Sequence, residues 1–569
     1  MFLEGEWPST TRRTFLRGCL AATGALAVAA CGGGGSSGGA TRTSGGPGRA
    51  GNSHLAPPDL PWTDPNIPPA YLKLPAPFRA TGDPPGSGGP LNEVTWFSDE
   101  FSPPPPPLPG NRYWAELDRR LGVKITPIWG PADQASYEQK FAAILASGDL
   151  PDLVLFTGTT GTAAQAQALQ QGAFTDLTHH LSGSALNEYP NLALIAPKIW
   201  QNSRINGRIY GVPRGRTIPG GTLLLRWDWA EKVGVPISQL TTSAAFQEAM
   251  VGFAGKDPDG NGRADTWGIP DIRYTYAYFA EMFGAPNNWR LGKDGSLVKD
   301  IETAEYKQAI SFARDLFQKG AFHPDAPTQT LAAHYSLFEG GRVGAYMDAL
   351  YASGQTRSFL AQLGLKDPIR HLLPPAGPGR KPVTYNAAGY NGMVMIPSKV
   401  GKDDAKVRQL LRILDYFASP FGSEEYIFLQ YGIEGVHYTR AANGNPAKNA
   451  QGTTDIGDLF RLLTPPNVSY SAASQSFSDA EQEAWTRLLD QAYHDHYKIG
   501  IDDPTTGYFS PTALKQAPAL NQNVQDGLVG VIAGRTPMSA YDDLVRSWRS
   551  QGGDQMRKEL QTAIRQHRS

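Results

Sequence analysis

An α/β architecture in more than one lobe is the fold class this sequence predicts, and three observations predict it. Between Glu93 and Phe156, short strand-like runs alternate with runs at helical spacing, the signature of layered α/β packing. A second strand-to-helix run begins near residue 222, beyond a passage rich in glycine and proline. At 569 residues the chain is longer than one hydrophobic core usually serves.

The chain opens with Thr11 to Gly35, TRRTFLRGCLAATGALAVAACGGGG. Arg12 and Arg13, followed by Phe15, Leu16 and Arg17, form a basic n-region of the twin-arginine type, and Cys19 to Ala30 form an apolar h-region of small residues. That run is too short for a hydrocarbon core of about 30 Å, so an export signal over residues 1–30 is expected rather than a spanning helix. Val28-Ala29-Ala30-Cys31 resembles the bacterial lipobox, which makes Cys31 the lipidated first residue of the mature chain. An ordinary secretory peptide with an incidental cysteine is the alternative. Residues 31–92, rich in Gly, Ser and Pro, are expected to form a flexible tether and a loosely packed arm.

Composition narrows the function classes. The full chain carries a formal charge of −1; removing Arg12, Arg13 and Arg17 with Glu4 and Glu6 leaves about −2. No basic block is present, so the electrostatic footprint of a nucleic-acid binder is missing. The only cysteines are Cys19 and Cys31; one leaves with the signal and the other takes lipid, so a disulfide-free mature protein is expected. Twelve Trp and 23 Tyr stand out more than any charge feature, and aromatic faces suit a site that grips something flat.

From Glu93 the elements follow in order. EVTWFS is strand-like, and Asp99 to Pro109 is a polar, Pro-rich loop. Trp114, Leu117 and Leu121 put one apolar face on a helix over Asn111 to Leu121, and VKITPIW reads as the next strand. A helix over Ser136 to Ala146 and a turn at Gly148-Asp149 lead to PDLVLF, a strand buried on both faces. Loops at the carboxyl ends of such strands, here Ser98-Asp99 and Thr157 to Thr160, are where open α/β sheets bind ligands. In GRIYGVPRGRTIPGGTLLLRWDWAEKVGV the chain leaves one lobe for a second, with LLLRWDW as a strand running into a helix. Helices are expected over Ser243 to Val251 and Ala304 to Gln318, a strand in VGAYMD, and a return crossing in AAGYNGMVMIP. Val407 to Ala418 and Ser423 to Tyr431 read as helices, and the last third as helical over Glu481 to Tyr497, Ala517 to Ile532 and Tyr541 onward. The expected lobes are 93–213 with 392–445, and 222–386 with 446–569.

The sharpest motif is DPDGNGRADTWG over 257–268. Asp257, Asp259, Asn261 and Asp265 place side-chain oxygens at positions 1, 3, 5 and 9 of a calcium loop, Arg263 offers a backbone carbonyl at position 7, and Gly260 and Gly262 permit the turn. Position 12 is Gly268 rather than a bidentate Glu, so a structural Ca²⁺ would need water or a carboxylate from elsewhere. An Asx-rich turn without metal is the alternative.

Taken together, IYGVP, LRWDWAEKVGV, DPDGNGRADTWG, GGRVGAYMD, YNGMVMIP, YGIEGVHYT and GRTPMSAYDDLVRSWRSQGGDQM resemble the extracellular solute-binding proteins of ABC importers. The resemblance is to their large oligosaccharide-binding branch, which includes alginate-binding proteins. It implies a two-lobed periplasmic-binding-protein fold, type II-like, with hinge strands and an extra helical C-terminal region. It also implies a monomer that closes on a sugar, delivers it to ABC permease subunits and performs no catalysis. In the alginate binders a similar loop holds calcium with an Asp-Glu pair at its end, where this chain has Asp265-Thr266.

Sugars present C–H faces to aromatic rings and hydroxyl rims to polar partners. The candidate ligand-binding set at loop ends and crossings is therefore Asp99, Arg214, Trp227, Trp229, Trp267, Asp348, Tyr351, Tyr390, Asn391, Glu434, His437 and Tyr438. Within it, Trp227 and Trp229 share one strand face if the strand runs through them, Trp267 would alternatively cover the loop at 257–268, and Glu434 and His437 would alternatively buttress the helix end at Gly432. A uronic acid would call on Arg214 or Arg226. Two other functions compete: a secreted glycoside hydrolase or lyase using Asp99, Asp348 and Glu434, and a surface sensor presenting the same lobes to a receptor.

Overall fold

Two hydrophobic cores, each built around its own sheet, organise the protein. The computed structural model describes residues 56–99, 104–106, 110–131, 134–158, 163–457, 463 and 479–567. The export signal, the twin arginines and Cys31 lie outside the described residues.

Lobe 1 begins with β1 (Glu93–Asp99), β2 (Lys124–Gly130), β3 (Leu153–Phe156) and β4 (Gly211–Gly215). The chain then builds β5 (Gly221–Arg226), the hairpin β6 (Trp289–Leu291) and β7 (Leu297–Lys299), β8 (Ala345–Ala349), β9 (Ile369–Leu372) and β10 (Thr384–Tyr385) before returning as β11 (Tyr390–Met395). The lobe 1 sheet has the order β2-β1-β3-β11-β4. Strands β1, β2 and β3 are mutually parallel, and β11 runs antiparallel to both β3 and β4. All four residues of β3 are buried, as expected for a strand covered on both faces.

Local chemistry fixes the helices around this sheet. Arg112–Leu121 buries Tyr113, Trp114, Leu117 and Leu121 on one face. Asn111 caps it by accepting the N–H groups of Tyr113 and Trp114, and Gly122 ends it at φ 71°. Asp403 caps Asp404–Phe417 in the same way, and Val407, Leu410, Leu411 and Leu414 turn inward.

Lobe 2 centres on the antiparallel sheet β8-β5-β9. Leu223, Leu224 and Leu225 are all fully buried because the strand is covered twice. Leu223 and Leu225 face the main core with Phe253 and Phe279, whereas Leu224 faces Phe338, Tyr346 and Trp485. Ala304–Gln318 forms as expected, buttressed by Tyr276–Met282, a short helix whose apolar residues on every side gave no amphipathic period.

Three expectations change. The strand expected in LLLRWDW stops at Arg226, and Trp227–Lys232 is already a helix, so Trp227 and Trp229 share no strand face. Residues 446–457, expected in lobe 2, pack on lobe 1: β13 (Pro446–Lys448) pairs with β12 (Tyr438–Arg440), and Ile456 lies in the lobe 1 core. The arm is firmly packed from residue 56 onward. Glu425 accepts the N–H groups of Ala80 and Thr81, Gln409 bonds to both N–H and C=O of Leu91, and Leu60 and Ile67 are buried against Leu489 and Tyr493. The arm also closes on itself: the Asp59 N–H donates to the Ala70 carbonyl at 3.0 Å and the Tyr71 hydroxyl to the Ala56 carbonyl at 2.7 Å. A last strand, β14 (Gly500–Ile501), pairs with β10.

Candidate functional site: the edge between the lobes

Among the described residues, the segments after β4 and before β11 join the two lobes and run side by side. The Arg216 N–H donates to the Gly389 carbonyl at 2.7 Å, the Ala387 N–H to the Ile218 carbonyl at 2.8 Å, and Pro219 bridges Asn386. On one side of this pair lie the carboxyl ends of β1 to β4 and the start of β11; on the other lie the start of β5 and the end of β8. These sheet edges therefore flank the hinge pair from either side, and the space between them is the candidate interlobe groove. Across it, the lobe 1 helix Ala163–Gln170 touches the lobe 2 helix Pro511–Ile532.

On the lobe 1 edge, Asp99 ends β1 and Arg214 lies on β4, both almost fully buried. Arg214 Nη1 stands 2.9 Å from Asp99 Oδ1 and Nη2 3.3 Å from Oδ2, a forked ion pair. Arg214 Nε donates to the Asn391 carbonyl at 2.7 Å. That carbonyl is presented by a bulge: the β11–β4 register shifts between Tyr390 and Met393. Gly392, at φ 90°, permits the bulge, and a Cβ there would lie 2.7 Å from the Phe156 carbonyl oxygen. Tyr390 is buried on the same strand, its hydroxyl 3.4 Å from the Asn202 carbonyl. Asp99, Arg214, Tyr390 and Asn391 are thus brought together across about 290 residues of sequence, the span from 99 to 391.

On the lobe 2 edge, Asp348 lies opposite Thr222 in the β5–β8 ladder. Its carboxylate accepts the Tyr346 hydroxyl at 3.1 Å and the Ala349 N–H at 2.7 Å. Three residues on, Tyr351 is 42% exposed, one of few large apolar side chains so placed among the described residues. Behind this edge His496 Nε2 lies 3.1 Å from Thr222 Oγ1, and burial pulls the imidazole down to a pKa of about 4, so it stays neutral. Thr222 and His496 were not singled out in the sequence. The available signal was a polar residue on the apolar stripe Trp485, Leu489, Tyr493, His496 of the helix Asp479–Lys498.

Three tryptophan candidates do not reach the groove. Trp227 follows β5 at its far end, five residues or about 17 Å beyond Thr222 at strand rise. Its indole donates to the Asp367 carbonyl, and Arg370 lies 5.0 Å over its ring. Trp229 is fully buried against Phe253. Trp267 bridges Val343 just ahead of β8, at the far end of that strand from Asp348, and packs its ring 4.6 Å from His323. Arg226, the other cation a uronic acid would need, is also at the far end and forked onto Asp228.

Glu434, His437 and Tyr438 form an internal brace. His437 is wholly buried; its Nδ1 accepts the Ile433 N–H at 3.0 Å, and its Nε2 is 3.3 Å from Asp455 Oδ2. Tyr438 donates to Glu434 at 3.1 Å, and Arg440 pairs with the same carboxylate. At Gly432, where the helix ends with φ 81°, an added Cβ would lie 2.7 Å from His437 Nδ1, so glycine is what lets the ring close on the helix end.

The loop at 257–268 closes on itself. Asp257 accepts the N–H groups of Asn261 and Gly262, and the Asn261 amide nitrogen lies 2.7 Å from Asp259 Oδ2 and 3.1 Å from Asp265 Oδ1. Gly260 and Gly262 take φ of 74° and 77°, which the turn requires. Thr266, where the alginate binders have Glu, is buried and donates to the Phe253 carbonyl, and Arg342 pairs with Asp265.

Comparison with known proteins gives concordant findings. A family profile described as bacterial extracellular solute-binding protein matches residues 116–424. The polygalacturonan/rhamnogalacturonan-binding protein YtcQ of Bacillus subtilis is 24% identical over 487 residues, covering 84% of this chain and 93% of its own length. Lipoprotein LipO of the same organism is 26% identical over 453 residues, covering 78% of this chain and 87% of its own. Among solved structures, an extracellular solute-binding protein of Bifidobacterium longum subsp. infantis superposes with a TM-score of 0.62 at 17% identity, covering 84% of this chain and 99% of that one.

Proposed function

The chain belongs to the bacterial extracellular solute-binding proteins, and from that premise we propose that it captures an oligosaccharide between its lobes and hands it to an ABC permease. The observation that supports the reading is that the sheet end next to the hinge carries Asp99, Arg214 and the Asn391 carbonyl in lobe 1, and the sheet end next to the hinge in lobe 2 carries Asp348, with Tyr351 three residues on. The hinge pair at 216–220 and 386–389 lets closure be driven by contacts made only when both edges hold the same sugar. Isothermal titration of the full chain against a panel of oligosaccharides tests this; saturable binding to a glycan without cleavage supports it, and binding to none rejects it.

The same edge argues for a neutral sugar. Arg214 is already matched in charge by Asp99, and Arg226 is remote and matched by Asp228. The Bacillus relative carries a polyuronide in its name, so titration with oligogalacturonides beside neutral oligosaccharides is the discriminating comparison. Tighter binding of the uronides would overturn the neutral reading.

Catalysis forms no part of this proposal. Asp99 is committed to Arg214, Asp348 to Tyr346 and the Ala349 amide, and Glu434 to Arg440 and Tyr438, whereas a glycosidase needs two carboxyl groups facing one bond. The protein acts as a monomer exported by the twin-arginine route and held at the outer face of the membrane by lipid on Cys31. The relative named as a lipoprotein supports the anchor. Among the described residues no helix is long and apolar enough to cross a membrane. Cys31→Ser should release the protein from the membrane fraction.

The loop at 257–268 supports a structural Ca²⁺. Asp257, Asp259, Asn261, Asp265 and the Arg263 carbonyl would hold it, with the Asn261 amide turned to present oxygen and water taking the place that Thr266 leaves open. The convergence of two carboxylates on the Asn261 amide is the fit: a partial positive charge occupies the position a cation would take. A rise in melting temperature with CaCl₂, abolished by Asp259→Ala, is the expected result.

A further inference from the structure

We propose that lobe 1 carries a second metal site, for a Zn²⁺-class cation, formed by His179, His180 and Asp404 on the face of the lobe remote from the groove. The three side chains come from places 224 residues apart: the histidines from the short helix Thr178–Leu181, the carboxylate from the first residue of Asp404–Phe417. His180 Nε2 lies 3.3 Å from Asp404 Oδ1, and His179 Nε2 lies 4.0 Å from the same oxygen. One ligand atom of each residue falls within 4.8 Å of the other two. Donors bound to a tetrahedral zinc at about 2.0–2.1 Å stand roughly 3.3–3.4 Å apart, so the first separation already has the spacing of a tetrahedral edge. The second exceeds it by a distance that rotation of an exposed imidazole closes. His179 is that imidazole, with 69% of its side chain exposed, while His180 is buried.

The backbone around the site is fixed, so binding would need no rearrangement of the main chain. The His180 and Leu181 N–H groups both bond to the Leu177 carbonyl, and Leu177 in turn bonds to Ile209. Asp403, not Asp404, caps the other helix. Arg408 Nε holds the other Asp404 oxygen, Oδ2, at 2.8 Å and so turns Oδ1 toward the imidazoles. The Arg408 charge is shared with Glu188, which its Nη1 meets at 2.5 Å, so the neighbourhood keeps a net negative charge when the histidines are neutral.

The donor set decides the cation. Two imidazoles and one carboxylate suit zinc or its neighbours in the first transition row and do not suit Ca²⁺ or Mg²⁺, which take oxygen. Three protein ligands leave one position for water or for a donor from outside the chain. The site lies where β4 begins and β11 has ended, at the opposite end of the sheet from Asp99, so it would clip the helix Asp404–Phe417 to the 178–188 segment without entering the groove.

The test uses the full chain, stripped of metal with a chelator and titrated with ZnCl₂ and, separately, CaCl₂. One saturable zinc equivalent is expected, weakened about tenfold or more by His179→Ala and again by Asp404→Asn, with calcium heats unchanged by either. His179 is exposed and Asp404 is not the helix cap, so both variants should melt like the parent without metal. Absence of saturable zinc binding, or zinc binding indifferent to both substitutions, overturns the proposal.

Discussion

Lobe 1 meets the groove with a buried, forked ion pair, whereas lobe 2 meets it with an exposed tyrosine beside a carboxylate held by neutral donors. The difference recurs in their interiors. In lobe 1 the buried Asp415 accepts the N–H groups of Asn191 and Leu192, and burial pushes its pKa up to about 7. In lobe 2 the buried Asp271 is bonded to His334, which also reaches the Met347 carbonyl at 2.9 Å. Burial pulls the His334 pKa down, but the Asp271 charge and hydrogen bond outweigh it and leave it raised. Each lobe therefore spends an ionic pair in one place and neutral partners in the other. Polar recognition is stiffest where charge is paired, and the exposed aromatic is left to adapt.

The largest effect expected from breaking this contrast is at Arg214. Arg214→Ala leaves Asp99 buried without its cation and should cost about 3–5 kcal/mol in urea denaturation, with loss of sugar binding. Asp271→Asn makes the corresponding break in lobe 2, at about 3 kcal/mol, but sugar affinity measured on the folded fraction should be retained, because His334 lies behind β8 rather than on the groove.

A pH series sharpens the comparison further. The folded pKa of Asp415 is raised, so its contribution is complete below about pH 4 and is lost as pH rises through about 7. Asp415→Asn, which keeps an acceptor for both amides, should match the parent at pH 4 and exceed it by roughly 2 kcal/mol at pH 8. His334 is likewise raised, so its contribution is complete below about pH 6.5 and is lost only above that value. The smallest effect is at Tyr351: Tyr351→Ala should leave stability within about 0.5 kcal/mol while weakening sugar binding by about 1 kcal/mol, read by titration.

How far the sequence reached depends on whether a feature is local. Ala304–Gln318 was legible because its apolar period and the Thr303 cap lie within one stretch, and the turn at 257–268 because its glycines and carboxylates are contiguous. Asp99, Arg214, Tyr390 and Asn391 were legible as strand ends, but their meeting depends on β11 entering between β3 and β4, which no window of sequence contains. Trp227, Trp229 and Trp267 were misplaced because an aromatic near a strand end looks alike at either end of that strand. The direction is set by where β5 starts relative to the hinge. The pairing of His180 with Asp404 is invisible for the same reason, being purely tertiary.

The late arrival of β11 also governs the order in which the polypeptide can mature. A ribosome that has completed β3 must add 234 more residues before Tyr390 appears, roughly 10–50 s at ordinary elongation rates. Throughout that interval the edge of LVLF that β11 will cover has no strand beside it, and an uncovered hydrophobic edge invites pairing with other chains. Nascent lobe 1 is therefore the stage at which a holdase has most to protect, while the intervening lobe 2 segment is still being made.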